Sequence, residues 1–198
     1  MSAQLGFHFD ASACTGCKTC VMACKDRHDN PVGINFRRVT HHSGGSWEAH
    51  PGQPGVWTPH VYAYSISLSC NHCASPVCVE VCPPGAIAKA ANGLVLIDET
   101  RCLGCRLCES CPYEAPQFNE RRGVMTMCNG CVDLIGGGSQ PACVAACPQR
   151  ALQFGDMTEL RARHGAVNSI EPLPDAGLTS PSLIITPHRH ALSRAENS

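Results

Sequence analysis

Near its N-terminus the chain contains Cys14-Thr-Gly-Cys-Lys-Thr-Cys-Val-Met-Ala-Cys24, in which four cysteines follow the spacing C-x2-C-x2-C-x3-C. Three more groups of four follow, so each of the sixteen cysteines in this 198-residue chain belongs to a group. Groups one to four consist, in order, of Cys14, Cys17, Cys20 and Cys24; Cys70, Cys73, Cys78 and Cys82; Cys102, Cys105, Cys108 and Cys111; and Cys128, Cys131, Cys143 and Cys147. A multi-cysteine motif that recurs four times indicates that thiol ligands organise the chain.

The composition is poor in large core side chains, with 5% aromatic and 16% charged residues beside 18 glycines and 15 prolines. Such a chain is loop-rich, and so few aromatics give a thin core, so we expect bound metal to hold the loops together. Lysine plus arginine (15) and aspartate plus glutamate (16) nearly cancel. This balance leaves no basic face for nucleic acid.

The spacing of group one is that of the bacterial ferredoxin run, in which three thiolates hold one iron-sulfur cluster and the fourth serves its neighbour. In the last three groups the fourth cysteine precedes Pro83, Pro112 or Pro148. Proline suits the first turn of a helix, which needs no backbone N–H there. The sequence therefore predicts four 4Fe-4S clusters with four thiolates each.

Two other uses of the cysteines compete with iron-sulfur clusters. Zinc would explain C-x2-C pairs such as Cys70 with Cys73, but not the triple Cys14, Cys17 and Cys20. Disulfides would suit an exported small domain, and the first ten residues show neither the basic nor the apolar region of a signal peptide.

Pairing of the groups predicts the fold class, which is α+β and loop-rich, with two ferredoxin-like two-cluster modules, an inserted β-hairpin and an extended C-terminal tail. If the fourth ligands cross over within each module, the four ligand sets follow. Sets one to four are then Cys14, Cys17, Cys20 and Cys147; Cys24, Cys128, Cys131 and Cys143; Cys70, Cys73, Cys78 and Cys111; and Cys82, Cys102, Cys105 and Cys108.

The corresponding domain division nests one module inside the other. Its parts are residues 1–33 with 120–155 for the first module, 34–68 for the inserted hairpin, 69–119 for the second module, and 156–198 for a short helix and the extended tail. Four clusters add about eight negative charges, and nearby cations would offset them. Each cation is either such a neighbour of a cluster or an ordinary surface charge. The candidate cations are Lys18, Lys25, Arg106 and Arg150.

Alternating apolar and polar residues predict hairpin strands over 34–40 and 61–68, joined by a loop. Trp47 and Trp57 on this Gly/Pro-rich loop either face a partner or cover a cluster. After Gly165 the chain reads as extended with one apolar anchor at 183–185, and this tail either docks on another subunit or is disordered. The ten histidines read as surface residues or as neighbours of the cysteine ligands.

No catalytic motif is visible. The sequence has no Gly-rich phosphate loop, nucleophile elbow or paired carboxylates. Its longest apolar-leaning stretch, residues 61–68, falls far short of the roughly 20 residues that cross a bilayer. We therefore expect a non-catalytic chain that conducts electrons and has neither a signal peptide nor a transmembrane helix of its own.

Beyond the spacing, the chain resembles the four-cluster iron-sulfur subunits of dimethyl sulfoxide reductase and related molybdopterin oxidoreductases, over about residues 4 to 185. The motifs that carry the resemblance are Cys14-Thr-Gly-Cys-Lys-Thr-Cys20, Ala23-Cys-Lys-Asp26, Phe36-Arg-Arg38, Ser69-Cys-Asn-His-Cys73, Pro112-Tyr113 with Ala115-Pro-Gln117, and Met127-Cys-Asn-Gly-Cys131. Some relatives replace one cysteine and hold a three-iron cluster, whereas this chain has cysteine at all the matching positions.

The resemblance implies partners and a location. It implies a relay subunit that passes electrons from a quinol-oxidising membrane anchor to a molybdopterin catalytic subunit in a heterotrimer, for dimethyl sulfoxide or N-oxide reduction in anaerobic respiration. It also implies co-export with the catalytic subunit to the periplasmic face of the cytoplasmic membrane. Alternatives are a relay subunit of a formate, polysulfide, tetrathionate or nitrate enzyme, a soluble polyferredoxin carrier, or an iron-sulfur sensor or maturation factor.

The third run departs from the family pattern, because Cys108-Glu-Ser-Cys111-Pro has one residue fewer between its last two cysteines. In an α-helix this deletion rotates the fourth thiol by about 100°. A short 3₁₀ turn, with three residues per turn, would restore its direction. We therefore keep Cys111 as a ligand and expect 3₁₀ geometry at this point.

Overall fold

The computed structural model describes residues 4–191. A three-stranded sheet joins the two ends of this chain. Its central strand, β1 (Leu5–Asp10), pairs antiparallel with β10 (Leu152–Asp156) and parallel with β11 (Leu183–Thr186). Strand β10 begins five residues after Cys147. The sheet thereby brings the loop after β1, which carries group one, beside the end of group four.

The inserted segment is a long hairpin whose main strands are β2 (Arg38–Gly44) and β5 (Tyr62–Leu68). The first strand begins four residues later than expected at Ile34, because Ile34 and Phe36 are buried in the core instead. The connection is also not all loop, since β3 (Trp47–Ala49) pairs with β4 (Trp57–Pro59) and lengthens the hairpin.

Two short hairpins flank the cysteine loops. Strand β6 (Ile87–Lys89) pairs antiparallel with β7 (Val95–Ile97). Strand β8 (Gln117–Asn119) pairs with β9 (Val124–Thr126), so the predicted module boundary between residues 119 and 120 falls at the turn of this hairpin. Each strand has three residues, which is too short for a periodic pattern.

Short helices carry the cysteines. The α-helices are α1 (Thr19–Arg27), α2 (Val77–Glu80), α3 (Val132–Gly136), α4 (Ala142–Ala145) and α5 (Met157–His164). A 3₁₀ helix spans Leu107–Ser110 and another spans Ala176–Leu178. Across the described residues, no helix has the length and apolar character needed to cross a bilayer.

The C-terminal segment differs from the expected extended tail. After α5, which Asp156 caps through the N–H groups of Thr158 and Glu159, the chain returns to the first strand. The predicted apolar anchor at 183–185 is buried, but it is held in this chain's own sheet rather than by another subunit. The part of the predicted tail from residue 192 onward lies outside the described residues.

The core is built around cysteine. One continuous cluster of buried side chains combines thiols from all four groups with a few large apolar residues such as Phe7, Phe9 and Ile66. Two histidines are also buried, which corrects the surface expectation for one of them. His72 lies between two cysteines of group two, whereas His8 lies in the central strand and bonds Thr186 at 2.9 Å.

Candidate metal centres

Each cysteine group opens with the same turn. In all four groups the residue two positions after the first cysteine has a positive φ: Gly16, His72, Gly104 and Gly130. The N–H of that residue donates to the first thiol, at 3.5 Å for Cys70, 3.5 Å for Cys102 and 3.4 Å for Cys128. The corresponding N–H of Gly16 bonds the Cys14 thiol and partly offsets the rise that burial causes in its pKa. Backbone N–H groups turned inward in this way form a concavity suited to an anion.

Set one combines both ends of the cysteine region. Burial raises the pKa of the Cys14 thiol, and the neighbouring Cys20, Cys147 and Cys17 thiols raise it further. All four thiols line one pocket, together with the apolar side chains of Phe9, Val39 and Leu152.

Set two lies one helix turn away. Helix α1 carries Cys20 and Cys24 four residues apart, and the pKa of Cys24 is raised by burial first and then by the Cys128, Cys143 and Cys131 thiols. Helix α1 packs against α4, which begins just before Cys143 and ends just before Cys147. Cys24 of group one thus lies beside the thiols of group four, and Cys147 of group four lies beside those of group one. This is the arrangement that a crossover of the fourth ligands requires.

Sets three and four show the same exchange. Burial raises the pKa of Cys78 to about 12, and the Cys111 and Cys73 thiols are its strongest charged neighbours. Burial raises the pKa of Cys108 to about 11, with Cys102, Cys82 and Cys105 as neighbours. The structure thus brings together the members of each predicted set.

Burial is the main cause of the raised pKa of several thiols, and electrostatic effects from cysteines of neighbouring sets add to it. Cys143 of set two raises the pKa of Cys20 of set one. Cys128 of set two raises the pKa of Cys70 of set three, and Cys108 of set four raises that of Cys78 of set three. The sets therefore follow one another in the order one, two, three, four.

Solvent reaches this row at its ends. Of the sixteen cysteines, all of which are described, only Cys17 of set one and Cys105 of set four are exposed. Thr19 hydrogen-bonds the Cys17 thiol and lowers its pKa. Leu103 and Leu107 beside Cys105 are 73% and 53% exposed.

The shortened third run adopts the expected 3₁₀ geometry. The helix over Leu107–Ser110 contains Cys108, and the N–H of Cys111 donates to the Cys108 carbonyl at 3.2 Å. Cys111 is buried and lies beside Cys73 and Cys78.

The donor set fits iron-sulfur clusters. Thiolate is the ligand of such clusters, and inward N–H groups and an apolar wall surround the thiols. The buried side chains of Tyr113 and Thr179 lie beside Cys73. Over residues 4–191, no three His, Cys, Asp or Glu side chains converge tightly enough for a single metal ion. In a 4Fe-4S cluster each of the four thiolates would bind a different iron, so its ligands would lie farther apart than those of a single ion.

Of the four cations expected near the clusters, Lys18 lines the pocket formed by the set-one thiols, and the other three bond carbonyl or carboxylate groups of the protein. Lys25 donates to the carbonyls of Pro31 and Ile34, Arg150 donates to those of Ala145 and Cys147, and Arg106 pairs with Glu109. The buried cation among the thiols is instead Arg37, which sequence reasoning missed because arginine is usually exposed.

Two family matches agree with this geometry. Residues 61–157 and residues 13–87 each match a 4Fe-4S dicluster domain. The chain is 48% identical to the iron-sulfur subunit of anaerobic dimethyl sulfoxide reductase from Escherichia coli, over 96% of its own length and 92% of the relative. The chain belongs to the family of dimethyl sulfoxide reductase iron-sulfur subunits. The two dicluster domains and the sixteen cysteines fit four 4Fe-4S clusters.

More distant relatives have related roles in other complexes. The thiosulfate reductase electron transfer subunit PhsB of Salmonella typhi is 37% identical over 76% of this chain and 74% of the relative. The formate dehydrogenase iron-sulfur subunit of Wolinella succinogenes is 33% identical over 78% of this chain and 82% of the relative. These relatives are named as electron-transfer or iron-sulfur subunits, which agrees with a non-catalytic role.

Proposed function

We propose that this chain is the electron-transfer subunit of a molybdopterin reductase of the dimethyl sulfoxide or N-oxide type. The observation that carries the proposal is the row of four thiol sets with an exposed cysteine at each end. When bound, 4Fe-4S clusters supply one-electron transfer. The polypeptide holds them in order, surrounds the inner two with buried side chains, and leaves both ends open to redox partners.

The proposed ligands are the four sets that the crossover predicts. They are Cys14, Cys17, Cys20 and Cys147; Cys24, Cys128, Cys131 and Cys143; Cys70, Cys73, Cys78 and Cys111; and Cys82, Cys102, Cys105 and Cys108. The electrostatic neighbours of Cys14, Cys24, Cys78 and Cys108 support this assignment set by set.

The proposed partners are a molybdopterin catalytic subunit and a quinol-oxidising integral membrane anchor, in a heterotrimer. Electrons enter from one partner at one end of the row and leave to the other partner at the opposite end. In this arrangement the chain is a peripheral subunit on the periplasmic face of the cytoplasmic membrane. The near full-length similarity to iron-sulfur subunits of dimethyl sulfoxide reductase supports this assembly over a soluble polyferredoxin carrier.

A second candidate is a relay subunit of another molybdopterin enzyme. It is favoured by the similarity to subunits of a thiosulfate reductase and a formate dehydrogenase, although both are less similar than the dimethyl sulfoxide reductase subunit and cover less of this chain.

The test is anaerobic purification of the native complex through a tag on this chain. We expect a molybdenum subunit and a membrane subunit to co-purify, about 16 iron atoms per copy of the chain, and oxidation of a reduced quinol by dimethyl sulfoxide or trimethylamine N-oxide. Turnover with thiosulfate or formate instead would select the second candidate. Isolation of the chain alone, with full clusters and no partner, would favour the soluble carrier and overturn the proposal.

A further inference from the structure

Strand β5 presents two buried serines on one face. Because side chains alternate along a strand, Ser65 and Ser67 point to the same side of the hairpin. The Ser65 hydroxyl bonds His41 Nδ1 at 2.9 Å. The Ser67 hydroxyl instead lies 3.5 Å from Cys20 Sγ, and Ser67 lines the same pocket as the four thiols of set one. Ser67 is thus the one of these two serines that contacts a proposed cluster ligand.

Arg37 fixes the direction of this hydrogen bond. One of its guanidinium nitrogens, Nη1, lies 3.1 Å from Ser67 Oγ, and a guanidinium can only donate. Ser67 Oγ therefore accepts from Arg37, which leaves the hydroxyl proton for another acceptor. Within residues 4–191, the other partner of this hydroxyl is Cys20 Sγ. Since a cluster-bound thiolate has no proton, Ser67 donates and the sulfur accepts.

The donor is held rigidly and away from solvent. Arg37 and Ser67 are each 2% exposed. The second guanidinium nitrogen donates to Ser69 Oγ at 2.9 Å, and the guanidinium lies 4.8 Å from the centre of the Phe7 ring. Because the guanidinium is fixed on these two sides, the Ser67 hydroxyl has one orientation that satisfies both of its partners.

A second hydroxyl beside set one provides a comparison. Thr19 Oγ1 lies 3.3 Å from Cys17 Sγ, and both residues are exposed. Water can replace this hydroxyl when it is removed, whereas the burial of Ser67 leaves its acceptor without a substitute donor. The two hydrogen bonds thus differ in what their loss would cost.

We propose that Ser67 is a positioning residue whose buried hydroxyl donates a hydrogen bond to Cys20 and raises the reduction potential of the cluster held by set one. The inference rests on the proposed function and its ligand sets. On reduction the cluster gains one electron, and part of the added negative charge falls on the ligand sulfurs. A hydrogen bond to sulfur strengthens as this charge grows, so it stabilises the reduced form more. The electron comes from the redox partner of the complex or, in the test, from dithionite, and the hydroxyl keeps its proton.

The test is a redox titration of the anaerobically purified native complex, followed by electron paramagnetic resonance. The set-one couple is identified by its change in Cys14→Ser. We expect Ser67→Ala to shift the reduction equilibrium of this couple at least fivefold toward the oxidised form, which is about 41 mV for one electron. The set-four couple should stay unchanged. Ser67→Thr should retain the original set-one potential because it keeps the hydroxyl.

The matched control is Ser65→Ala, which removes the same group from the same face of β5, where the hydroxyl bonds His41 rather than a thiol. Its set-one couple should equal that of the unsubstituted complex. Thr19→Val should shift this couple less than Ser67→Ala does, because water replaces the exposed hydroxyl. A set-one shift in Ser67→Ala no larger than in Ser65→Ala, or an equal shift of all four couples, would overturn the proposal.

A second pair of variants serves if Ser67→Ala does not accumulate with full iron. Ser67→Thr and Ser67→Val are then compared, since both side chains are β-branched and differ in a hydroxyl in place of a methyl group. We expect a lower set-one potential in Ser67→Val, and equal potentials in the two variants would overturn the proposal. An unsubstituted complex without iron-sulfur clusters would instead count against the proposed function.

Discussion

The backbone N–H of Cys111 donates to the carbonyl of Cys108 at 3.2 Å and closes a single 3₁₀ turn between the two cysteines. In the other three groups the fourth cysteine lies four positions after the third, as from Cys20 to Cys24 on α1. Four residues of α-helix and three residues of 3₁₀ helix each advance about 6 Å and make about one full turn. The tighter helix therefore compensates for the missing residue in both rise and direction.

Substitution of this cysteine should reduce the iron content. We expect Cys111→Ser to lower the count from about 16 to about 15 irons per chain, with a three-iron signal on oxidation, because set three loses one thiolate. Iron and sulfide analysis with electron paramagnetic resonance of the oxidised complex measures this. Ser110→Ala is the control, since it alters the same turn without a ligand, and should retain the full count. An unchanged iron count in Cys111→Ser would mean that Cys111 is not a ligand.

A glycine in the same group should tolerate no side chain. A Cβ at Gly104 would collide with the carbonyl oxygen of Gly123, and its φ of 65° already strains any other residue. Gly123 has a φ of 67°, but a Cβ there meets open space. We expect Gly123→Ala to lower the unfolding free energy by about 1 kcal/mol, from backbone strain alone.

The collision at Gly104 adds to the same backbone strain. We expect Gly104→Ala to lower the melting temperature clearly more than Gly123→Ala and to release iron, because the Gly104 N–H also bonds Cys102 Sγ. Thermal unfolding with iron analysis of both variants measures this. Equal melting temperatures would contradict the close backbone approach.

The stability of the protein should fall on mild acidification because of His8. Burial and the neighbouring His164 lower the pKa of His8 from 6.5 to about 4, so the unfolded chain binds this proton first. The contribution of neutral His8 is present above pH 6.5 and disappears as the pH falls toward 4. At pH 5 the loss is up to about 2 kcal/mol.

The difference between wild type and His8→Leu isolates this effect from acid damage to clusters. We expect the melting temperature of His8→Leu to depend less on pH between 7 and 5 than that of the wild type. His50→Asn, a change at an exposed histidine, should follow the wild type. Parallel curves for all three proteins would show that His8 titrates normally.

Both tryptophans should be accessible and dispensable for folding. Trp47 and Trp57 are 60% and 57% exposed, so neither covers a cluster. We expect acrylamide to quench their fluorescence readily, and Trp47→Ala with Trp57→Ala to change the unfolding free energy by no more than about 0.5 kcal/mol. Tyr64→Ala in the same hairpin is the contrast, because this buried ring should cost about 3 kcal/mol. A large loss of stability or of iron in the tryptophan double variant would contradict their exposure.

The sequence predicts the cysteine chemistry well because its geometry is local. A run such as Cys14 to Cys20 fixes three thiols in one loop, and the 3₁₀ turn before Cys111 follows from counting residues. Strands β6, β8 and β9 were not predicted, since three residues are too few to establish a period.

Long-range features escaped prediction for a different reason. The apolar character of residues 183–185 is visible, but their parallel partner β1 lies at the other end of the chain, and no local pattern specifies it. The burial of Arg37 depends on serines about thirty residues away, at Ser67 and Ser69. In the sequence His8 looks like an ordinary polar residue. Its burial becomes apparent only when β11 pairs with β1 beside it.

The proximity of Cys14 to Cys147 has a consequence for biosynthesis. A ribosome releases the chain from its N-terminus, so the nested cysteines up to Cys111 are all available before group four has emerged. With the proposed ligand sets, group one has all its partners only after Cys143 and Cys147 have been made. All ligands of sets three and four are then present in the growing chain before those of sets one and two, and the thiols of group one remain without their full sets until residue 147 is synthesised.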